Sequence, residues 1–237
     1  RIIEEKNEEL RKTIAGRDKM YSVIAHDLRS PMASMKMLLN TIMMSVEKDK
    51  IDPDIFDMLE MSNKTSEEVF SLLDNLLKWT KSQLGKLTVI PQKLDISGLA
   101  DGVVEVMNSV AEVKHIKLIR TDHESFFVYV DIEMIKSILR NLISNAVKFS
   151  NPDSEIKVGI KAEDGKVIVS VTDSGKGIKK EDQHKLLKDS THFTTYGTNS
   201  EEGSGLGLLL CRDFARKNGG ELWFESEENL GSVFSFS

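Results

Sequence analysis

The chain has a single cysteine, Cys211, among 237 residues. That excludes an internal disulfide framework and fits a reducing compartment, with the thiol read as a small buried residue on a helix. No apolar run approaches the roughly 20 residues needed to cross a bilayer. No signal peptide is visible either. Positive charge is not in excess: the formal net charge of −6 argues against a general nucleic-acid-binding surface. A local basic site for phosphate groups is compatible with that balance.

A hydrophobic content of 40% and a charged content of 30% describe a globular protein with long helical surfaces. The length suffices for one large or two modest domains. Residues 1 to about 46 read as one long helix. Its apolar seam runs Tyr21, Ile24, Leu28, Met32, Met35, Leu39, Ile42 and Val46, in alternating steps of three and four. With Tyr21 and Ile24 at the first and fourth heptad positions, His26 falls on the side farthest from the seam. Asp27 follows at once, and Pro31 removes a backbone donor one turn on and should bend the helix. An accessible imidazole of near-neutral pKa is a candidate nucleophile; a surface histidine without a role is the plainer alternative. The stripe Met32, Met35, Met37, Met43 and Met44 reads mostly as core filler, or as a soft surface for a partner. Asp52 and Pro53 then announce a second helix with seam positions Ile55, Leu59, Ser62, Ser66, Val69, Leu73, Leu76 and Thr80. A helical hairpin alone leaves one face bare, so a dimeric four-helix bundle is expected.

Near Gly85 the periodicity changes, and residues 86–237 alternate helix and strand as an α/β sandwich. Glu163-Asp164-Gly165 is a hairpin turn signal between two strands. From Ser174 to Gly205 runs a polar, glycine-rich stretch far longer than an ordinary connection. Three motifs in this half bear chemistry. In NLISNAVKFS, Asn141, Asn145 and Lys148 share one helix face; amide oxygens and an ammonium suit a magnesium–phosphate complex, though a polar outer face would look the same. In DSGKGI, Asp173 at a strand end can accept from an exocyclic amine, while Gly175 and Gly177 let backbone approach a flat ligand; an ordinary turn is the alternative. In GSGLGL, glycine-rich backbone opens a helix and offers N–H groups to phosphate. It is neither a P-loop nor preceded by a strand, as a dinucleotide fingerprint requires.

In this order, with the histidine helix upstream, the motifs resemble a sensor histidine kinase of two-component signalling. The H box is IAHDLRSPM, the N box NLISNAVKFS, the G1 box DSGKGI, the F-box region HFTTYGT and the G2 box GSGLGL. The resemblance implies residues 1–85 as coiled-coil entry and dimerisation/phosphotransfer hairpin, and residues 86–237 as a catalytic ATP-binding domain with the Bergerat fold. It implies His26 as phosphoacceptor and Asp27 as its orienting partner and general base. Asn141, Asn145 and Lys148 would engage magnesium and phosphates, Asn145 being the metal ligand. Asp173 would read the adenine amine in a pocket shaped by Gly175 and Gly177. Phe193 would belong to a lid, hinged through Gly203, Gly205, Leu206 and Gly207. Cofactors would be ATP and Mg2+; partners would be a second copy of the chain and a response-regulator receiver domain. The implied reaction is ATP-dependent autophosphorylation of His26, then transfer to a receiver aspartate.

Two departures bear on the resemblance. Ser30 stands where bifunctional members often have Thr or Asn, which leaves reverse phosphatase activity open. The stretch from Ser174 to Ser204 contains no arginine, so any cation there touching phosphate is a lysine: Lys176, Lys179, Lys180, Lys185 or Lys188. Two other readings belong to different classes. ATP hydrolases of the same fold place a glutamate in the N box to activate water, whereas this helix carries Asn141; a non-catalytic dimeric scaffold would need degenerate motifs. His115, His123, His184 and His192 have no metal-spaced companions. Because Arg1 lies in mid-helix, the sequence reads as a piece of something longer, with sensor or membrane span upstream and a cytoplasmic location.

Overall fold

Aspartates begin three of the helices, each by the same device. The side chains of Asp52, Asp95 and Asp131 accept from the N–H groups of Asp54, Ser97 and Met134, at 2.9, 3.1 and 3.1 Å. Each takes one of the donors that a helix start leaves without an intrahelical partner. The computed structural model describes residues 2–47, 50–122, 124–187, 197–198 and 205–237. Within the first helix, only the backbone is described at 2–5, 7, 9–12, 15, 17–19, 21–22 and 25–26. The chain divides into two units, Arg1–Thr88 and Val89–Ser237.

The first unit is a hairpin of α1 (Ile2–Ser45) and α2 (Pro53–Gln83). Pro31 lies inside α1, which continues through it. Asn63 donates to Asn40 across the hairpin at 2.9 Å, and the ion pairs Arg29–Asp74 and Lys36–Glu67 also link the helices. Exposed pairs of this kind contribute little to stability; they fix register. One flank of α1 keeps Ile24, Leu28, Met35 and Ile42 exposed. Of the methionine stripe, Met32 and Met43 are half-buried in the hairpin, whereas Met35, Met37 and Met44 are 52%, 72% and 89% exposed, so only part of it serves as core within the single hairpin. Two helices bury only one strip of each other, and spacing alone does not say which strip.

The second unit opens with β1 (Gln92–Asp95), α3 (Ile96–Glu112), β2 (Lys117–Arg120) and β3 (Phe127–Val130). Next come α4 (Ile132–Phe149) and the hairpin β4 (Glu155–Glu163) and β5 (Lys166–Asp173). After the short α5 (Lys180–Gln183) and α6 (Gly207–Lys217), the hairpin β6 (Leu222–Glu227) and β7 (Gly231–Phe236) closes the fold. The five-stranded sheet has the order β2-β4-β5-β7-β6, with β2 parallel to β4 and the other pairs antiparallel. Strands β1 and β3 pair separately. Asp164 and Gly165, at φ 50° and 75°, form the expected β4–β5 turn. Helices α3, α4 and α6 pack together on the sheet. Ile138, Leu139, Leu142 and Ile143 of α4 are buried, as are Ile156 and Val158 of β4, Val169 and Val171 of β5 and Leu210 and Phe214 of α6, and α4 packs on all three elements. Each such side chain contributes about 1.5–3 kcal/mol on leaving water. This layer puts α4 at the centre of the unit's packing, with Asn141, Asn145 and Lys148 half-buried beside its core-facing residues.

Candidate active site

The last turn of α4 shows how the site is framed. A helix leaves its final four carbonyls without intrahelical donors, and here every one has a partner. Ala146 O accepts from Ser150 N at 3.0 Å, and Phe149 O from Lys176 N at 3.1 Å. Val147 O and Lys148 O both accept from the ammonium of Lys114, each at 3.1 Å. Lys148 O also accepts from Thr198 N at 3.0 Å. Three separate segments thus converge on the end of the helix that carries Asn145 and Lys148.

Asp173 ends β5 and is buried against the core side of the sheet. Its carboxylate accepts from Gly175 N at 2.9 Å and from the backbone N–H of Ser232. Burial pushes its pKa above the ordinary carboxylate value, and these two hydrogen bonds offset part of the shift. Gly175 is obligatory for space: a β-carbon there would lie 2.2 Å from Phe149 O. Gly177 has φ 61°, and a β-carbon on it would lie 1.9 Å from Glu227 O. The G1 loop is therefore wedged between the end of α4 and the β6–β7 turn. Lys148 Nζ and Lys176 Nζ lie 5.0 and 4.8 Å from the centroid of the Phe149 ring. Two motifs thereby place their lysines around one aromatic, in a cation–π arrangement.

The third motif meets the first directly. Gly205 has φ 66°, Leu206 is buried as the residue before α6, and Gly207 is the first residue of the helix. A β-carbon on Gly207 would stand 2.9 Å from Asn141 Oδ1, while Asn141 Nδ2 donates to Ser137 O at 2.9 Å. Leu206 provides no side-chain cap for α6. The buried Arg212 of α6 donates to Leu187 O, Gln183 Nε2 donates to Ile178 O and Ser226 O, and Lys185 pairs with Asp182 at 2.6 Å. Cys211 is fully buried, and burial raises its thiol pKa strongly, as expected of an inert packing residue.

Lys148, Gly175 and, through Gly175, Asp173 thus gather around Phe149, Asn141 meets Gly207, and Gly177 packs on Glu227, with Asn145 one turn from Asn141 on the same helix. The backbone at His26 is helical, but its side chain lies outside the described residues; Asp27, on the same helix, is exposed. Phe193 and Gly203 lie outside the described residues. Lys114 and Phe149 were not anticipated as site residues. Phe149 is visible in the sequence as an aromatic beside Lys148; Lys114, one lysine after a helix, carries no distinguishing pattern.

Residues 130–237 match the sequence model of the histidine kinase-, DNA gyrase B-, and HSP90-like ATPases, which sets the class of the second unit. The catalytic domain of the histidine kinase ThkA is 32% identical with a TM-score of 0.54, over 62% of this chain and 95% of that one. The adaptive-response sensory kinase SasA of Crocosphaera subtropica is 31% identical over 97% of this chain. Full-length ShkA, solved in complex with AMPPNP, shares the fold at 20% identity and a TM-score of 0.69, over 92% of this chain and 45% of that one. The chain belongs to the sensor histidine kinases. It spans 61% of the length of the SasA relative. Among the described residues no helix is long and apolar enough to cross a membrane.

Proposed function

We propose that the protein binds ATP with magnesium in its second unit, phosphorylates its own His26, and passes the phosphoryl group to an aspartate of a response-regulator receiver domain. On this reading residues 1–85 dimerise and accept, and residues 86–237 catalyse. The observation that carries it is the meeting of the three nucleotide motifs: Gly207 against Asn141, and Gly175 and Lys176 against Phe149.

Each group has a chemical task. Asp173, fixed by Gly175 and Ser232, would accept from the adenine amine, and the Phe149 ring offers a flat neighbour. Lys148, with Lys176 beside the same ring, would meet phosphate oxygens; the first N–H groups of α6 would do so behind Gly207. Among the described residues no cluster of three or more His, Cys, Asp or Glu side chains could cage a metal ion. The carboxamide of Asn145 is a hard oxygen donor of the kind that shares a magnesium shell with water and phosphates. Bound there, magnesium would neutralise charge on the phosphates. Phosphoryl transfer needs positioning and charge neutralisation more than covalent help. The lone pair of one imidazole nitrogen of His26 would attack the γ-phosphorus as its bond to the β,γ-bridging oxygen breaks and ADP departs. Asp27 would hold the proton on the other nitrogen.

Hydrolysis is the competing reading, and the residue at the N-box turn bears on it: Asn141 has no carboxylate to activate water. Product identity decides between them. With labelled ATP and magnesium, we expect acid-labile, base-stable phosphate on protein; stoichiometric free phosphate with unlabelled protein would refute transfer.

A further inference from the structure

Lys114 has no task in the nucleotide reading, yet its side chain is buried, at 7% exposure. It stands in the turn between α3 and β2, just before His115 at φ 56°. Its Nζ donates to Val147 O and Lys148 O, each at 3.1 Å, and to Thr198 Oγ1 at 2.8 Å. An ammonium has three donors and no acceptor, and here three acceptors from two distant segments surround it. Thr198 extends the link, donating its hydroxyl to Ser150 O at 2.7 Å and its N–H to Lys148 O at 3.0 Å. Burying an ammonium is costly unless it is well bonded. At the C-terminus of α4 it also meets the negative end of an 18-residue helix dipole.

We propose that Lys114 is a positioning residue for triphosphate recognition. It clamps the last turn of α4 to Thr198 and offsets the negative helix end that would otherwise lie beside an anionic ligand at Asn145 and Lys148. The proposal rests on the ATP reading above. Lys114 itself touches no reacting atom; it acts through the α4 backbone and Thr198. Asp173 is held instead by Gly175 and Ser232, so recognition at the adenine end should be insensitive to Lys114.

The test compares Lys114→Met, Lys114→Arg and Thr198→Val in the full 237-residue chain. Affinity for a non-hydrolysable ATP analogue with magnesium, affinity for adenosine, and thermal unfolding are measured for each. Lys114→Met should weaken the analogue about tenfold, a step of about 1.4 kcal/mol, and change adenosine by less than about twofold. Lys114→Arg, which keeps the charge, should recover most of the loss. Thr198→Val removes both an acceptor of the ammonium and a donor to Ser150 O; it should weaken the analogue about threefold and cost less on the Lys114→Met background than on the wild type. Equal losses for analogue and adenosine, or unchanged analogue affinity, overturn the proposal and leave Lys114 a structural cap. If Lys114→Met does not fold, wild-type analogue affinity in Thr198→Val overturns it as well. A wild-type chain that binds no analogue sinks the ATP reading itself, a failure distinct from that of Lys114.

Discussion

Asn141 and Gly207 are packed so closely that a β-carbon on Gly207 would stand 2.9 Å from the carboxamide oxygen of Asn141. The N box and the G2 box therefore share one contact, and only glycine leaves the carboxamide where it is. Gly207→Ala should displace Asn141 and weaken ATP-analogue binding about tenfold. Stability should hold or rise, because alanine is favoured over glycine in a helix by about 1 kcal/mol. Calorimetric affinity and thermal unfolding check this; an alanine variant of undiminished affinity would show that the contact is irrelevant to binding.

Much of this arrangement is legible from residue order, for local reasons. Asp52, Asp95 and Asp131 mark helix starts because short carboxylates cap backbone donors, and Asp164-Gly165 marks a hairpin because both must adopt positive φ. The motif order pointed to the candidate site. Lys114 escaped because its partners are carbonyls some 33 residues away, which no spacing encodes. Gly231 escaped for a like reason: a β-carbon there would lie 2.0 Å from Asp173 O, a close approach set by β5–β7 pairing. The exposure of Met37 and Met44 is not legible in the sequence because residue type alone does not say which neighbour covers a helix face.

Asp173 should trade stability for binding. Its pKa is raised from 3.8 chiefly by burial, so the folded chain keeps the proton after the unfolded chain has lost it. Stability from this group is thus intact below the unfolded value and declines as pH climbs from there through the folded value. Asp173→Asn should abolish nucleotide binding while being at least as stable as wild type at pH 7. Denaturant unfolding across pH should show its relative advantage shrinking as pH falls toward 3.8. An advantage that grows on acidification would contradict the assignment.

Glycine positions should separate sharply by surroundings. Gly177→Ala meets both positive φ and a backbone oxygen at 1.9 Å, so loss of several kcal/mol is expected from strain plus displacement of the β6–β7 turn. Gly219, at φ 85° with nothing within 4 Å, should tolerate alanine at a cost of about 1–2 kcal/mol. Paired unfolding curves test the ranking; equal losses would count against the wedged loop.

The bare face of α1 carries Ile24, Leu28, Met35 and Ile42, 41–52% exposed in the single chain. If a second copy covers it, Leu28→Lys with Ile42→Lys should sediment at half the wild-type mass and retain helix content. An unchanged mass would remove this face from the interface.

The most direct test of the whole account is labelling from γ-phosphate-labelled ATP with magnesium, wild type beside His26→Gln. We expect acid-labile label on the wild-type chain and none on His26→Gln, with ATP-analogue affinity of the variant within about twofold of wild type, a difference of about 0.4 kcal/mol. Undiminished label on His26→Gln would contradict it.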